Sequence, residues 1–254
     1  MAYYDPVPLS GGDLSKAVRV GGTVRRPSRR WSHQTARLLR HLESTGFDGA
    51  PKWLGVDATG RDVLTYIHGQ CGFLPQIWND HTPLAAGRLL RTYHDATRTM
   101  DFHADAAWQV IYPDKRRHQV ICHNDFAPYN LIFDGREPFA IIDFDMAGPG
   151  PALRDVAMGV YWFAPLSFGG AMRERSQADV AAGHRRLRRF CTGYGIEPPP
   201  GLMPMVLEWL DFMGNFPEQQ VAAGREEYRA MIDQGQVDHW RREAAAFRET
   251  GFAL

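Results

Sequence analysis

The first third of the chain alternates apolar and polar residues in short runs, which is the pattern of β-strands. The segments KAVRV and TVRR flank Gly21 and Gly22, a pair typical of a hairpin turn, and PKWLGVD and RDVLTYIHG flank the turn DATG. Between these two pairs, apolar residues recur at helical spacing from about His33 to Ser44, with Ser32 as the expected N-cap and Gly46 as the expected stop. The pattern predicts a small sheet with one helix packed on it.

Beyond the first third, apolar residues fall mainly at helical spacing. In TPLAAGRLLRTYHDATRTM, Leu84, Leu89, Leu90 and Tyr93 share one face of a predicted helix. From about Ala152 onward almost all of the chain follows the same pattern, apart from a loop rich in Gly and Pro at residues 193–201.

One β-rich island, residues 119–145, interrupts the helical part. The order of elements predicts an α+β fold with two lobes. The expected boundaries are a small N-terminal lobe of residues 1–67 and a larger helical lobe of residues 68–254 that contains the island.

The island contains a predicted hairpin whose two ends carry polar residues. The turn Asp134-Gly135 separates LIF from PFAIIDF. Antiparallel pairing across it places Asn130 opposite Asp143 or within two positions. Amide and carboxylate oxygens suit Mg²⁺, which proteins usually hold with few side chains together with substrate phosphates. Asp125, in the preceding loop HNDFAPYN, is a third polar group expected in the same space and a candidate base.

The charge composition argues against one class of protein, the nucleic-acid binders. The 254 residues are 44% hydrophobic and 23% charged, with a formal net charge of zero. This balance argues against a dedicated nucleic-acid binder, which normally has a strongly basic domain. The basic run RRLRR fits the exposed side of an amphipathic helix better, because Leu187 and Phe190 interleave with it.

Three widely spaced cysteines and the lack of long apolar runs indicate the cellular compartment in which the protein is expected. The cysteines are expected to be reduced thiols, with neither a disulfide nor a structural zinc site: Cys71, Cys122 and Cys191. The N-terminus has no apolar segment of the kind found in leaders, and no run is long enough to span a bilayer. A soluble, cytoplasmic protein without a membrane partner is expected.

HNDFAPYN, followed by IIDFD, resembles the catalytic loop and metal motif of the aminoglycoside phosphotransferase and choline kinase superfamily, which shares its core with protein kinases. The form is H-x-D-x-x-x-x-N, and the first Asp of I-D-F-D follows the Asn by thirteen residues. The chain is also similar to bacterial members known as trifolitoxin immunity proteins. The resemblance implies a protein-kinase-like two-lobe fold and transfer of the γ-phosphoryl group of ATP or GTP to a hydroxyl of a small molecule.

The resemblance also implies roles for the polar residues. Asp125 would orient or deprotonate the acceptor hydroxyl, and Asn130 and Asp143 would hold Mg²⁺ on the nucleotide phosphates. Asp145 would be an auxiliary ligand of the metal or of water. Two structural residues are expected as well: His123, which anchors the loop by hydrogen bonds to backbone, and Asp155, which braces it.

On the nucleotide side, the resemblance implies contacts from the small lobe. The segment LSGGDLS would lie over the phosphates through Ser10, Gly11 and Gly12, and the backbone of Tyr66 and Ile67, in the hinge at residues 65–68, would meet the adenine.

The position where the family carries a Lys or Arg on a strand of the small lobe aligns best with Arg25, with Arg26 as the competitor. Only one of the two can face the nucleotide, because adjacent strand residues point to opposite faces. Thr35 stands where the family has a helix Glu that pairs with this cation, so that no partner is evident.

Three functions stay open. The first is a small-molecule kinase. An amine-bearing acceptor, such as an aminoglycoside, is one candidate, because residues 201–254 carry a net charge of about −4 against about +4 for residues 1–60. The carboxylates that could receive the amine are Glu208, Asp211, Glu218, Asp233 and Asp238. The second, motivated by the missing helix Glu, is a non-catalytic protein of the same fold that sequesters a toxin or metabolite. The third and weakest is a metal-dependent hydrolase that uses His123, Asp125 and Asp143.

Overall fold

An antiparallel sheet of five strands forms the N-terminal part of the computed structural model, which describes residues 5–9, 16–101, 107–164 and 177–249. Its strands are β1 (Val7–Pro8), β2 (Val18–Val20), β3 (Thr23–Pro27), β4 (Trp53–Val56) and β5 (Arg61–Thr65). Their spatial order is β1-β2-β3-β5-β4. The predicted β2–β3 hairpin is confirmed: Gly21 adopts the positive φ of 58° that the turn requires, and Val20 pairs with Thr23.

Helix α1 (Ser32–Ser44) covers this sheet and buries Leu38, Leu39 and Leu42 completely. The predicted start of the helix is within one residue of the observed one, but the predicted N-cap is wrong. Trp31 occupies the cap position, and the hydroxyl of Ser32 instead donates a hydrogen bond of 2.5 Å to Asp62 on the adjacent strand β5.

In the described residues, two small sheets include the island. Their strands are β6 (Gln70–Cys71), β7 (Val120–Cys122), β8 (Leu131–Asp134), β9 (Glu137–Ile141) and β10 (Gly148–Gly150), of which β6 and β10 lie outside residues 119–145. Strands β6, β8 and β9 form one sheet, and β7 pairs with β10 in the other. The predicted hairpin is confirmed, since Asp134 pairs with Glu137 across a two-residue turn.

Six further α-helices in the described part of the chain follow the pattern of the sequence. They are α2 (Thr82–Thr97), α3 (Leu153–Phe163), α4 (Gln177–Tyr194), α5 (Leu202–Ala222), α6 (Arg229–Asp233) and α7 (Gln236–Glu249). The predicted apolar face of α2 is right only in part: Leu90 and Tyr93 are fully buried, whereas Leu84 and Leu89 are half-buried.

Small residues, rather than leucines, bring α2 against α4. A Cβ atom on Gly87 would lie 2.2 Å from the carbonyl oxygen of Phe190, and one on Gly193 would lie 2.0 Å from that of Leu84. This close approach fixes α2, which carries a buried histidine of the site described below.

The chain leaves the five-stranded sheet at Thr65 and enters the sheet of β6, β8 and β9 at Gln70. The boundary between residues 67 and 68 stays a prediction. Within the part of the chain that the structure describes, no helix has the length and apolar character needed to cross a membrane.

Candidate active site

His123 anchors the HNDFAPYN loop, residues 123–130, through both ring nitrogens. Its Nδ1 accepts a hydrogen bond from the backbone N–H of Asp125 at 3.3 Å, so the proton is on Nε2, which donates to the carbonyl of Ile142 at 3.0 Å. Burial lowers the pKa of this histidine, in keeping with a neutral ring. The ring thus ties the loop to the strand end that carries Asp143.

Asp155, on α3, is fully buried and holds the backbone of the same loop. Its carboxylate accepts hydrogen bonds from the backbone N–H groups of His123, at 2.6 Å, and Asn124, at 2.8 Å. A third bond comes from Nε2 of His94 on α2, at 3.0 Å, and Nδ1 of His94 contacts the hydroxyl of Tyr194 at 2.8 Å. Although burial opposes it, the bond from His94 holds the pKa of Asp155 below its usual range. The loop is therefore fixed to three helices at once.

Asn124 is a positioning residue that the sequence reasoning missed. Its φ of 61° lies in the left-handed region, which asparagine adopts more readily than most residues. Its amide nitrogen donates to the carbonyl of Met146 at 2.9 Å, and its oxygen accepts from Nε of Arg154 at 2.8 Å. The signal available in the sequence was the presence of Asn between His123 and Asp125.

Asp125 is held by two donors on its own loop. Its Oδ1 accepts from the hydroxyl of Tyr129 at 2.7 Å, and its Oδ2 accepts from Nδ2 of Asn130, also at 2.7 Å. Burial raises the pKa of Asp125, and the bond from Tyr129 opposes that rise. Because the amide nitrogen of Asn130 is used in this way, the atom that it can offer to a cation is Oδ1.

The register of the β8–β9 hairpin places Asn130 beside the other predicted metal ligand. Leu131 pairs with Ile141, and the N–H of Ile142 donates to the carbonyl of Asn130 at 2.9 Å. Asp143 follows one residue later, within the two positions predicted. It adopts a φ of 60°, a left-handed conformation that strand alternation alone does not predict.

Arg26, rather than Arg25, faces these acidic residues. Nη1 of Arg26 lies 2.7 Å from Asp145 and 3.7 Å from Asp143, whereas Nη1 of Arg25 lies 3.2 Å from Asp57. The preference for Arg25 is therefore wrong. The two residues do point to opposite faces of β3, but the face that meets the island depends on packing between the sheets, which the strand sequence does not reveal.

A strand residue supplies the carboxylate that the resemblance would place on the helix, at Thr35. Asp62, on β5, is fully buried, accepts hydrogen bonds from the hydroxyls of Ser28 and Ser32, and lies 3.7 Å from Nε of Arg26. Thr35, at the predicted helix position, is also buried but carries no charge. Sequence reasoning missed Asp62 because the contact joins two strands that are distant in the sequence. Asp62 on β5 is directly paired with Arg26 on β3.

The donor atoms around Asp143 fit a divalent cation and an anionic ligand. Burial, together with the charge of Asp145, raises the pKa of Asp143 to about 7 although Arg26 opposes the rise. Oδ1 of Asp143 and Nη2 of Arg26 are buried without a hydrogen-bond partner. Carboxylate and amide oxygens are the ligands that Mg²⁺ prefers, and an arginine fork suits phosphate.

Clusters of three or more His, Cys, Asp or Glu that could hold a metal by themselves are not found in the described ranges.

The predicted nucleotide contacts are described only in part. Ser10, Gly11 and Gly12 lie outside the described residues. The backbone N–H of Tyr66 donates to the carbonyl of Gly22 at 2.9 Å, and the guanidinium of Arg19 lies 4.1 Å from the centre of its ring. Any contact with a base must therefore use the other backbone atoms of Tyr66 and Ile67.

A cavity of about 370 Å³ adjoins the carboxylates of Asp143 and Asp145. Aromatic residues and methionines make up just over half of its described lining, and polar and charged residues make up the rest. Arg29 and Trp31 come from residues 1–67, and the others come from residues 68–254: Gln109, Tyr129, Asp143, Asp145, Met146, Met213, Phe216, Glu227, Tyr228, Met231, Gln236 and Trp240.

Comparison with known proteins places this geometry in a family. The model of a phosphotransferase enzyme family matches residues 19–190. A trifolitoxin immunity protein of Rhizobium leguminosarum bv. trifolii is 30% identical over 196 residues, which cover 76% of this chain and 75% of that protein.

Many solved structures share the fold, among them a complex with AMP-PNP and a complex with GDP. The amicoumacin kinase hAmiN, in complex with AMP-PNP, Ca²⁺ and Ami, has a TM-score of 0.62 and 11% identity, with 91% of this chain and 90% of that chain covered. The GDP complex of wild-type aminoglycoside 2'-phosphotransferase-IIIa has a TM-score of 0.59 and 14% identity, with coverage of 99% and 95%. The predicted kinase-like fold is confirmed. Because the family match includes both the HNDFAPYN loop and the IIDFD motif, the chain belongs to the phosphotransferase enzyme family.

Proposed function

We propose that the protein is a small-molecule kinase that transfers the γ-phosphoryl group of ATP or GTP to a hydroxyl group. The observation that carries the proposal is the convergence of Asp125, Asn130, Asp143 and Arg26 at one site beside an open cavity. Family membership supports phosphoryl transfer as the reaction.

Each residue has a role that follows from its contacts. Asp125 accepts the proton of the acceptor hydroxyl, whose oxygen bonds to the γ-phosphorus while the bond from that phosphorus to the β–γ bridging oxygen breaks. Tyr129 and Asn130 orient the carboxylate of Asp125 by their hydrogen bonds. Oδ1 of Asn130 and the carboxylate of Asp143 would hold Mg²⁺, which when bound neutralises charge on the phosphates. Arg26 donates to the phosphates.

The nucleotide is proposed to lie between residues 1–67 and residues 68–254. The phosphates would meet Ser10, Gly11 and Gly12, and the base would meet the backbone at Tyr66 and Ile67. The nucleotides in the two solved structures, AMP-PNP and GDP, support a nucleotide substrate for this fold. The second structure also supports an aminoglycoside as one candidate class of acceptor.

Sequestration of a toxin or metabolite without catalysis is a second candidate function. The 30% identity to a trifolitoxin immunity protein favours it. The missing helix Glu, which motivated it from the sequence, no longer does so, because Asp62 gives Arg26 a carboxylate partner.

Binding of Mg-nucleotide tests the proposal most directly. We expect ATP or GTP with Mg²⁺ to stabilise the protein by about 2.7 kcal/mol at a concentration roughly 100 times Kd, measured as a rise in Tm, and excess EDTA to reverse most of it. Absence of stabilisation by both nucleotides, with Mg²⁺ and with Mn²⁺, would contradict a kinase.

Exchange of each arginine for alanine distinguishes the two neighbours on β3. Arg26→Ala should weaken Mg-nucleotide binding about tenfold to a hundredfold, because it removes a charged donor from the phosphates. Arg25→Ala should change the Kd by less than about twofold, since Arg25 pairs with Asp57 away from the site. Titration calorimetry measures both, and a larger loss in the Arg25 variant would refute this assignment.

A further inference from the structure

We infer that the cavity beside Asp143 takes an acceptor alcohol with a flat, aromatic body and at most one positive charge, rather than a polycation. The inference rests on the proposed function and names the class of substrate for the same site.

The cavity occupies the acceptor side of the site. Asp143 and Asp145 form part of its wall, and so does Tyr129, whose hydroxyl bonds the carboxylate of Asp125 at 2.7 Å. An alcohol in the cavity therefore lies next to the proposed base. The described lining includes no residue of the hinge at 65–68 and no strand of the five-stranded sheet, so it is distinct from the proposed place of the base of the nucleotide.

Apolar and aromatic side chains dominate the wall. Phe216 and Tyr228 meet edge to face, with ring centres 5.5 Å apart, and are buried together with Val110 in a small cluster separate from the main core. Trp31, Trp240 and three methionines, Met146, Met213 and Met231, add further apolar surface. Aromatic faces and polarizable thioethers bind flat apolar groups well, and a polycation would lose its hydration against them.

Each carboxylate in the described wall lies near an arginine. Asp143 and Asp145 face Arg26 and are the proposed site of the metal. Glu227 is the remaining carboxylate in the described lining, and it lies 3.9 Å from Arg29, which lines the same cavity. Among the described residues of the wall, a ligand with several ammonium groups would meet no carboxylate that lacks an arginine neighbour.

The acidic residues that suggested an amine-bearing acceptor lie elsewhere. Asp211 is paired with Arg248 and Glu218 with Arg241, each at 2.6 Å, and Glu208 contacts the hydroxyl of Tyr112 at 3.2 Å. None of these carboxylates belongs to the described lining of the cavity. Asp211 and Glu218 are thus engaged by arginines outside the described wall of the cavity.

Calorimetric titration of the full chain, saturated with Mg-AMP-PNP, tests the inference with three probes. They are 2-(1-naphthyl)ethanol, which is neutral, tryptophanol, which carries one amine, and kanamycin A, a polycation rich in hydroxyls. We expect at least one aromatic alcohol to bind about tenfold more tightly than kanamycin A. A smaller preference, the reverse preference or no measurable binding of the aromatic alcohols would overturn the inference.

The titration of Mg-AMP-PNP itself reports on the proposed function separately. If the nucleotide does not bind, the kinase proposal fails, and the three probes are compared on the protein without nucleotide by the same criterion.

A matched pair of variants locates the binding. Met231→Asp places a carboxylate in the wall and should reduce the preference for the aromatic alcohol to less than about threefold. Ile232→Asp makes the same change at the next position of α6, which is not in the described lining, and should leave the preference unchanged. Retention of the full preference in the Met231 variant would overturn the inference, because the aromatic alcohol would then bind elsewhere.

Discussion

Replacement of Asp125 by Asn should lower the rate of phosphoryl transfer about a hundredfold to ten-thousandfold, because an amide cannot accept the proton of the attacking hydroxyl. The amide keeps the size of the carboxylate and an oxygen that can accept from Tyr129. Nucleotide binding should therefore change little. Single-turnover transfer from γ-labelled ATP to an acceptor found among aromatic and amine-containing alcohols measures the rate, and calorimetry measures the nucleotide.

Asp134→Asn is the matched control for this experiment. Asp134 is an exposed residue at the end of β8, in the turn of the same hairpin, and its change to Asn should leave the rate unchanged. Undiminished transfer by the Asp125 variant would exclude Asp125 as the base. An equal loss of rate in both variants would point to damage to the hairpin instead.

Replacement of Asp155 by Ala should reduce the free energy of unfolding by about 3–5 kcal/mol, the cost of removing one partner from a buried charged network. The change leaves two buried backbone N–H groups, those of His123 and Asn124, without their acceptor, and it deprives His94 of a hydrogen bond. The midpoint of urea unfolding measures the loss.

Asp95→Ala supplies the comparison, since Asp95 forms an exposed pair with Arg91 at 2.7 Å on α2. Its loss should cost at most about 1 kcal/mol. If the two variants are equally stable, the buried carboxylate contributes no more than a surface ion pair, and its bracing role is excluded.

Much of the fold could be predicted because local patterns determine it. The hairpins at Gly21 and at Gly135 are specified by turn residues between apolar runs, and the positions of α1 and α2 follow from helical spacing. The proximity of Asn130 and Asp143 followed from the same local argument, since a hairpin fixes which residues face each other.

The errors concern contacts between elements distant in the sequence. Neither the choice of Arg26 over Arg25 nor the pairing with Asp62 can be derived from β3 alone, because both depend on how the sheet meets the island and on which strand lies next to it. The hydroxyl of Ser32 was assigned to the helix end because Ser is a favoured cap. It instead donates to the buried carboxylate of Asp62, and its oxygen accepts from the backbone N–H of Arg29. The left-handed backbone of Asp143 likewise reflects tertiary packing.

The origin of the carboxylate beside Arg26 bears on regulation. In protein kinases the equivalent cation pairs with a helix, and control of that helix switches the enzyme on and off. Here Arg26 and Asp62 face each other on adjacent strands, so the hydrogen bonds of the sheet set their separation. Rotation of α1 away from the sheet would break the hydrogen bond from Ser32 to Asp62 but would not by itself separate the paired residues of β3 and β5. In the proposed kinase, this pair would therefore not serve as the helix-controlled switch that its counterpart forms in protein kinases.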